Sequence, residues 1–117
     1  MGELIIMLFH ARTSAHIMHL RTKSYAVHAA LNTFYDEIVG LTDALGEAYQ
    51  GYAGVIDNYP PRYTPYSEPV ELMTDLIEYI SENRYKIVKQ EATSLQNIID
   101  EIVGLTQQTL YKLKNLR

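Results

Sequence analysis

All four prolines of this chain lie between residues 60 and 69. Proline lacks a backbone N–H and its ring collides with the preceding turn, so a helix interior excludes it. The chain on either side of that segment is free to form long helices. The surrounding stretch, residues 51–69, also holds Gly51, Gly54, Asp57-Asn58 and the tyrosines Tyr52, Tyr59, Tyr63 and Tyr66. It reads as a long Pro/Tyr-rich crossover packed on the rest of the molecule.

Apolar spacing predicts the helices. Leu4, Leu8, Ala11, Ala15 and Met18 recur at three- and four-residue steps and predict a first helix over residues 3–21. Arg21-Thr22-Lys23-Ser24 is a polar break, with Ser24 placed to cap the second helix. That helix, residues 24–52, carries Val27, Leu31, Phe34, Ile38, Leu41, Leu45, Ala48 and Tyr52 at alternating four and three, the spacing of a bundle helix. At about 1.5 Å per residue it would be roughly 40 Å long. Gly40 and Gly46 each weaken it by up to ~1 kcal/mol relative to alanine, and read as marks of a closely approaching helix.

The third helix starts at Ser67 or Glu68 with Pro69 in its first turn, turns Met73, Leu76 and Ile80 inward, and ends between residues 81 and 89. The fourth starts at Thr93 or Ser94 and runs through Leu95, Ile98, Ile102, Leu105, Thr109, Lys112 and Leu116. The fold class expected is all-α: one domain over residues 1–117, a four-helix bundle of two hairpins joined by the crossover between the second and third helices.

An internal repeat supports that symmetry. D-E-I-V-G-L-T at 36–42 recurs letter for letter at 100–106. The second and fourth helices therefore look like equivalent members of a pair, or like two helices meeting one packing demand.

Charge and composition narrow the function. Fourteen acidic and ten Lys or Arg side chains give a net charge of −4, which argues against nucleic-acid binding through bulk electrostatics. Lys112, Lys114 and Arg117 read as favourable charge at a helix C-terminus. Without cysteine there is neither a disulfide nor a thiolate metal site. No apolar run approaches the ~20 residues of a membrane span. Residues 4–9 are apolar but come after Glu3 rather than a basic stretch, so they make a poor signal peptide. A cytoplasmic protein without a membrane partner is the expectation.

Within residues 16–47 stand His16, His28, Asp43 and Glu47, with Asn32 and an additional His19 between them. His16 and His28 each lie six residues from Thr22, so an antiparallel hairpin centred there would bring them level. On the second helix His28 and Asn32 are neighbours at i,i+4, and so are Asp43 and Glu47. Asn32 and Asp43 share a face but stand roughly 16 Å apart along the axis, too far for one ion. Either the pairs are unrelated, or two copies of the helix pack antiparallel about a two-fold axis and each site takes one pair from each chain. Shifted by the repeat, His28 becomes Ala92, Asn32 becomes Gln96, Asp43 becomes Gln107 and Glu47 becomes Tyr111. The scaffold is repeated in the fourth helix, but these ligand types are not. Imidazole and carboxylate without thiolate suit Fe(II), Zn, Mn or Ni better than Ca or Mg.

The spacing resembles a known pattern. Eleven residues separate His16 from His28, three separate His28 from Asn32, ten separate Asn32 from Asp43, and three separate Asp43 from Glu47. Together with S-Y-A-V-H-A-A-L-N-T-F at 24–34 and D-A-L-G-E at 43–47, this is similar to the ferroxidase motif of the Dps proteins, the mini-ferritins. The resemblance implies a ferritin-like bundle that pairs through the second helix, as a two-fold dimer or a larger homo-oligomer. It implies that His16 and His28 bind Fe(II) with Asp43 and Glu47 of the partner, and that O2 or peroxide oxidises it. Asn32 stands where that family usually has Asp, which makes it a weak ligand or one that orients another. His19 could replace the missing ligand or face solvent. Tyr35 would face the interface as an electron donor, and His10 would lie on the helix surface. The competing expectation is a ferritin-like helical module without redox activity that serves as an oligomeric structural or interaction protein.

Overall fold

The structure is a computed structural model and describes residues 1–61 and 63–116. Those residues form four helices and no strand: α1 Gly2–Arg21, α2 Tyr25–Ala53, α3 Pro69–Ile87 and α4 Thr93–Asn115. Local chemistry sets most of these limits. The Ser24 hydroxyl accepts the Val27 N–H at 3.3 Å and so caps α2. Gly54 ends α2 at φ 102°, a conformation few side chains tolerate. Pro69 opens α3, where its missing N–H has no helical partner to lose. The α3 terminus, the boundary left widest by the sequence, falls at Ile87, where Val88 turns extended.

The helices pack as a bundle. α1 lies along α2, α2 along α4 and α4 along α3, while α1 and α3 meet through a much thinner seam. At about 1.5 Å per residue, the 29 residues of α2 span the 43 Å long axis of the molecule. Phe34, Leu31, Ile38 and Leu45 of α2 are fully buried against Leu4, Leu8 and Ala15 of α1 and against Met73, Ile80, Ile99 and Ile102. The repeat gives matching interiors. Ile38 and Ile102 are buried, and Thr42 and Thr106 each donate their hydroxyl to the isoleucine carbonyl four residues earlier, at 2.7 and 2.8 Å.

Some expected positions shift. On α4 the expected Leu95, Ile102, Leu105 and Thr109 are buried, with Gln96, Ile99, Thr106 and Leu113 beside them, while Ile98 and Lys112 are half-buried and Leu116 is exposed. A 3.6-residue helix drifts off a strict four-three alternation, so in the last turns the inward face passes from Lys112 and Leu116 to Leu113. Tyr52 is likewise exposed at the end of α2. Gly40 does not mark close approach within the chain, because a Cβ there would meet nothing within 4 Å, and the same holds for Gly104. The glycine that packing requires is Gly2, where a Cβ would overlap the Asn58 carbonyl.

The described residues of 54–68 carry no helix, and some of them make polar contacts with the bundle. Ile56 donates its N–H to Gln50 Oε1 at 3.1 Å, and Tyr66 donates its hydroxyl to Asp75 Oδ2 at 2.8 Å. At the other end of α3, Arg84 donates to Gln96 Oε1 at 2.8 Å and pairs with Asp100 at 2.6 Å, tying α3 to α4.

Tyr66 supplies a pH test of the connection. Burial first, then the hydrogen bond and charge of Asp75 and the charge of Glu71, push its phenol from 10.0 up to about 12. The unfolded chain releases that proton near pH 10 and the folded chain near pH 12, so the contribution is whole below pH 10 and lost as pH rises towards 12. Urea unfolding should therefore show wild type losing more stability than Tyr66→Phe over this window. Parallel losses would mean that Tyr66 is not anchored as described.

Candidate functional site

The turn between α1 and α2 brings two histidines into a reciprocal clasp. His19 Nδ1 donates to the His28 carbonyl at 2.8 Å, and His28 Nδ1 donates to the His19 carbonyl at 2.8 Å. A carbonyl can only accept, so both protons sit on Nδ1 and, in the neutral rings, each Nε2 keeps a lone pair. The His19 carbonyl belongs to the last turn of α1, where carbonyls lack an intrahelical partner. His28 thus caps α1 from the neighbouring helix. The rings stack with centroids 3.6 Å apart and planes 20° apart. His19 is buried and His28 half-buried.

A second stack lies beside the first. His16 lies flat on Tyr35, with centroids 4.1 Å apart and planes 12° apart, and both rings meet His19 edge-on. Tyr35 donates its hydroxyl to Asn32 Oδ1 at 2.7 Å, and Asn32 Nδ2 donates to Asp36 Oδ2 at 3.2 Å. The structure therefore gathers His16, His19, His28, Asn32 and Tyr35 at one end of the α1–α2 hairpin. The ring opposite His28 is His19 rather than His16, because the hairpin is centred between Lys23 and Ser24 and not at Thr22. His19 does not face solvent, and Tyr35 holds His16 rather than standing clear of the cluster. The signal for this was the aromatic at residue 35, which the four-three apolar pattern treats as a flank.

Asp43 and Glu47 stand apart from this cluster. Both are exposed in the C-terminal half of α2, and neither has a hydrogen-bond or ion-pair partner among the described residues. Asp43 lies eleven positions along the helix from Asn32, roughly 16 Å. Among the described residues of one chain, no three His, Asp or Glu side chains converge in a group that could hold a metal ion. No described helix is long and apolar enough to cross a membrane. Ile17, Leu20, Tyr25 and Val39 leave apolar surface exposed on α1 and α2.

Replacing His19 by Ala removes one arm of the clasp and leaves a buried gap. Unfolding by urea should show a loss of about 2–4 kcal/mol. A loss under about 0.5 kcal/mol would place the clasp outside the forces that close the hairpin.

Two comparisons place the chain among known proteins. It is 34% identical over 115 residues to an uncharacterized 14.6 kDa protein in the mobD-ri intergenic region of Enterobacteria phage T4, an alignment covering 95% of this chain and 85% of that protein. No solved structure matches the chain. The model of a family of unknown function, DUF5856, matches residues 19–113, and the chain belongs to that family.

Proposed function

We propose that the protein is a Dps-like, ferritin-like bundle in which residues 54–68 are the crossover, and that it binds and oxidises Fe(II) between two copies paired through α2. One chain would supply His16 and His28, and its partner Asp43 and Glu47. The observation that carries this reading is the His28 bond. Its Nδ1 is held by the His19 carbonyl, the kind of contact that orients a metal-binding imidazole and keeps Nε2 available. Two further features agree. Asp43 and Glu47 are exposed carboxylates without partners among the described residues, and apolar side chains are exposed on α1 and α2.

Among the described residues of a single chain no three His, Asp or Glu side chains gather in a group that could hold a metal ion, so the reading requires the second copy. Iron is the substrate here. Two Fe(II) give one electron each, together reducing one O2 with two protons to hydrogen peroxide, or one hydrogen peroxide with two protons to two waters, and leave as ferric product. The two imidazoles supply neutral donors, and the two carboxylates supply the negative charge that favours the ferric state. Glu47 is placed to bridge to a second iron. Zn or Mn would suit the same donors without turnover.

One observation favours a second reading, a non-redox oligomeric module. Asn32 already bonds Tyr35 and Asp36, and the His19–His28 stack fills the face beside it. The histidines would then serve the hairpin alone.

Anaerobic Fe(II) titration followed by admission of O2 separates the two. Wild type should bind iron and develop ferric absorbance, with a light-scattering mass of at least a dimer. Glu47→Gln alters an exposed side chain and should leave folding unchanged while weakening iron binding by at least about tenfold. Absence of binding in wild type, or equal binding by Glu47→Gln, contradicts the proposal. Asn32→Asp restores a carboxylate next to the histidines. It should tighten iron binding while lowering stability of the metal-free chain by about 0.2–0.5 kcal/mol, from repulsion with Asp36. Unchanged affinity in Asn32→Asp would remove residue 32 from the site.

A further inference from the structure

α1 is apolar on two opposite sides. At roughly 100° of rotation per residue, Leu4, Leu8, Ala11, Ala15 and Met18 form its buried side. Ile6, Phe9, Thr13, Ile17 and Leu20 fall within an arc of about 80° centred directly opposite. Phe9, Ile17 and Leu20 are exposed, Leu20 to 72%, and Ile6 is half-buried. The charged residues of α1, Glu3, Arg12 and Arg21, all lie outside the arc. Thr13 adds little polarity, because its hydroxyl donates to the Phe9 carbonyl at 3.3 Å. A helix that is apolar on both sides is normally covered on both.

The spacing of the outer stripe says what covers it. Its steps are three, four, four and three, so it reads the same from either end. An isologous pair of antiparallel helices requires that property, because residue i meets residue j and j meets i. With the axis at Thr13, Phe9 comes level with the partner's Ile17, and Ile6 with the partner's Leu20. Thr13 meets its own copy, so the smallest side chain of the stripe stands where the helices come closest. The stripe brings no like charges together, and the two helix dipoles oppose. A different protein would have no need of the symmetric order.

We propose that a second copy of this chain packs on the outer side of α1, antiparallel, about a two-fold axis through Thr13. This interface is separate from the pairing through α2 and does not depend on it. α1 and α2 occupy adjacent corners of the bundle, so their outer sides diverge, and Tyr25 and Val39 are left to α2. Two such axes on one chain would build an assembly larger than a dimer.

The chain has no cysteine, so single cysteines report the contact in the full chain. Thr13→Cys should form a disulfide-linked dimer under mild oxidation at least about tenfold faster than Glu82→Cys, an exposed control on α3. Phe9→Cys and Ile17→Cys should each stay unlinked alone, since the register sets each position about 12 Å from its own copy, and should link to each other when mixed. Adding Ile17→Glu to Thr13→Cys places a charge in the stripe and should slow linkage at least about tenfold, with helix content unchanged by circular dichroism. The proposal is overturned if Thr13→Cys links no faster than the control, if Phe9→Cys alone links as fast, or if Ile17→Glu leaves the rate unchanged. A dimeric mass by light scattering without linkage at Thr13 would leave the pairing through α2 standing and reject this one.

Discussion

The two bonds between His19 and His28 fix how α1 lies on α2, and the remaining packing depends on that seam. Each ring donates to the other residue's carbonyl at 2.8 Å, so the last turn of α1 and the first turn of α2 hold each other in register. In that register Leu8, Ala15, Leu31, Phe34 and Ile38 bury their side chains in one core. It also puts His16 on Tyr35, and Tyr35 on Asn32. The proposed ligand set and the structural clasp share His28. Every functional reading of the histidines therefore has to reckon with what they do for the fold.

The repeat sharpens that point. Asn32 and Gln96 occupy matching positions in α2 and α4. Gln96 is buried and bonds the Val88 carbonyl and Arg84, which joins α4 to α3. Asn32 bonds Tyr35 and Asp36 near the surface. One scaffold position has become a structural node in α4 and a neighbour of the histidines in α2. Gly40 and Gly104 also match, and with Leu41 and Leu105 they line a shallow groove whose edges are Asp36, Glu37 and Glu101. Alanine at either glycine would meet nothing. The chain's own packing does not explain them.

Much of the fold was legible because its signals are local. Ser24 beside a polar break, four prolines in ten residues and an uninterrupted apolar rhythm place all four helices within a few residues of where they lie. Side-chain partners were not legible in the same way. Symmetry about Thr22 pairs His16 with His28, but the cap geometry at Thr22 and Ser24 moves the hairpin centre and pairs His19 with His28. Gly40 looked like a contact and is open, while Gly2, at the start of the chain, abuts the Asn58 carbonyl far away in sequence. The thin seam between α1 and α3 had no sequence signal, since those helices are not consecutive in the chain.

The central claim is that one site draws ligands from two chains, and subunit complementation tests it most directly. His16→Ala removes a ligand from one side of the proposed interface, and Glu47→Gln from the other. Each variant alone should fail to oxidise Fe(II). Unfolded and refolded together, the two should recover roughly a quarter of the wild-type oxidation, because half of the random pairs are mixed and each mixed pair holds one intact site of two. No recovery in a mixture whose mass shows pairing, or full oxidation by either variant alone, would contradict the account.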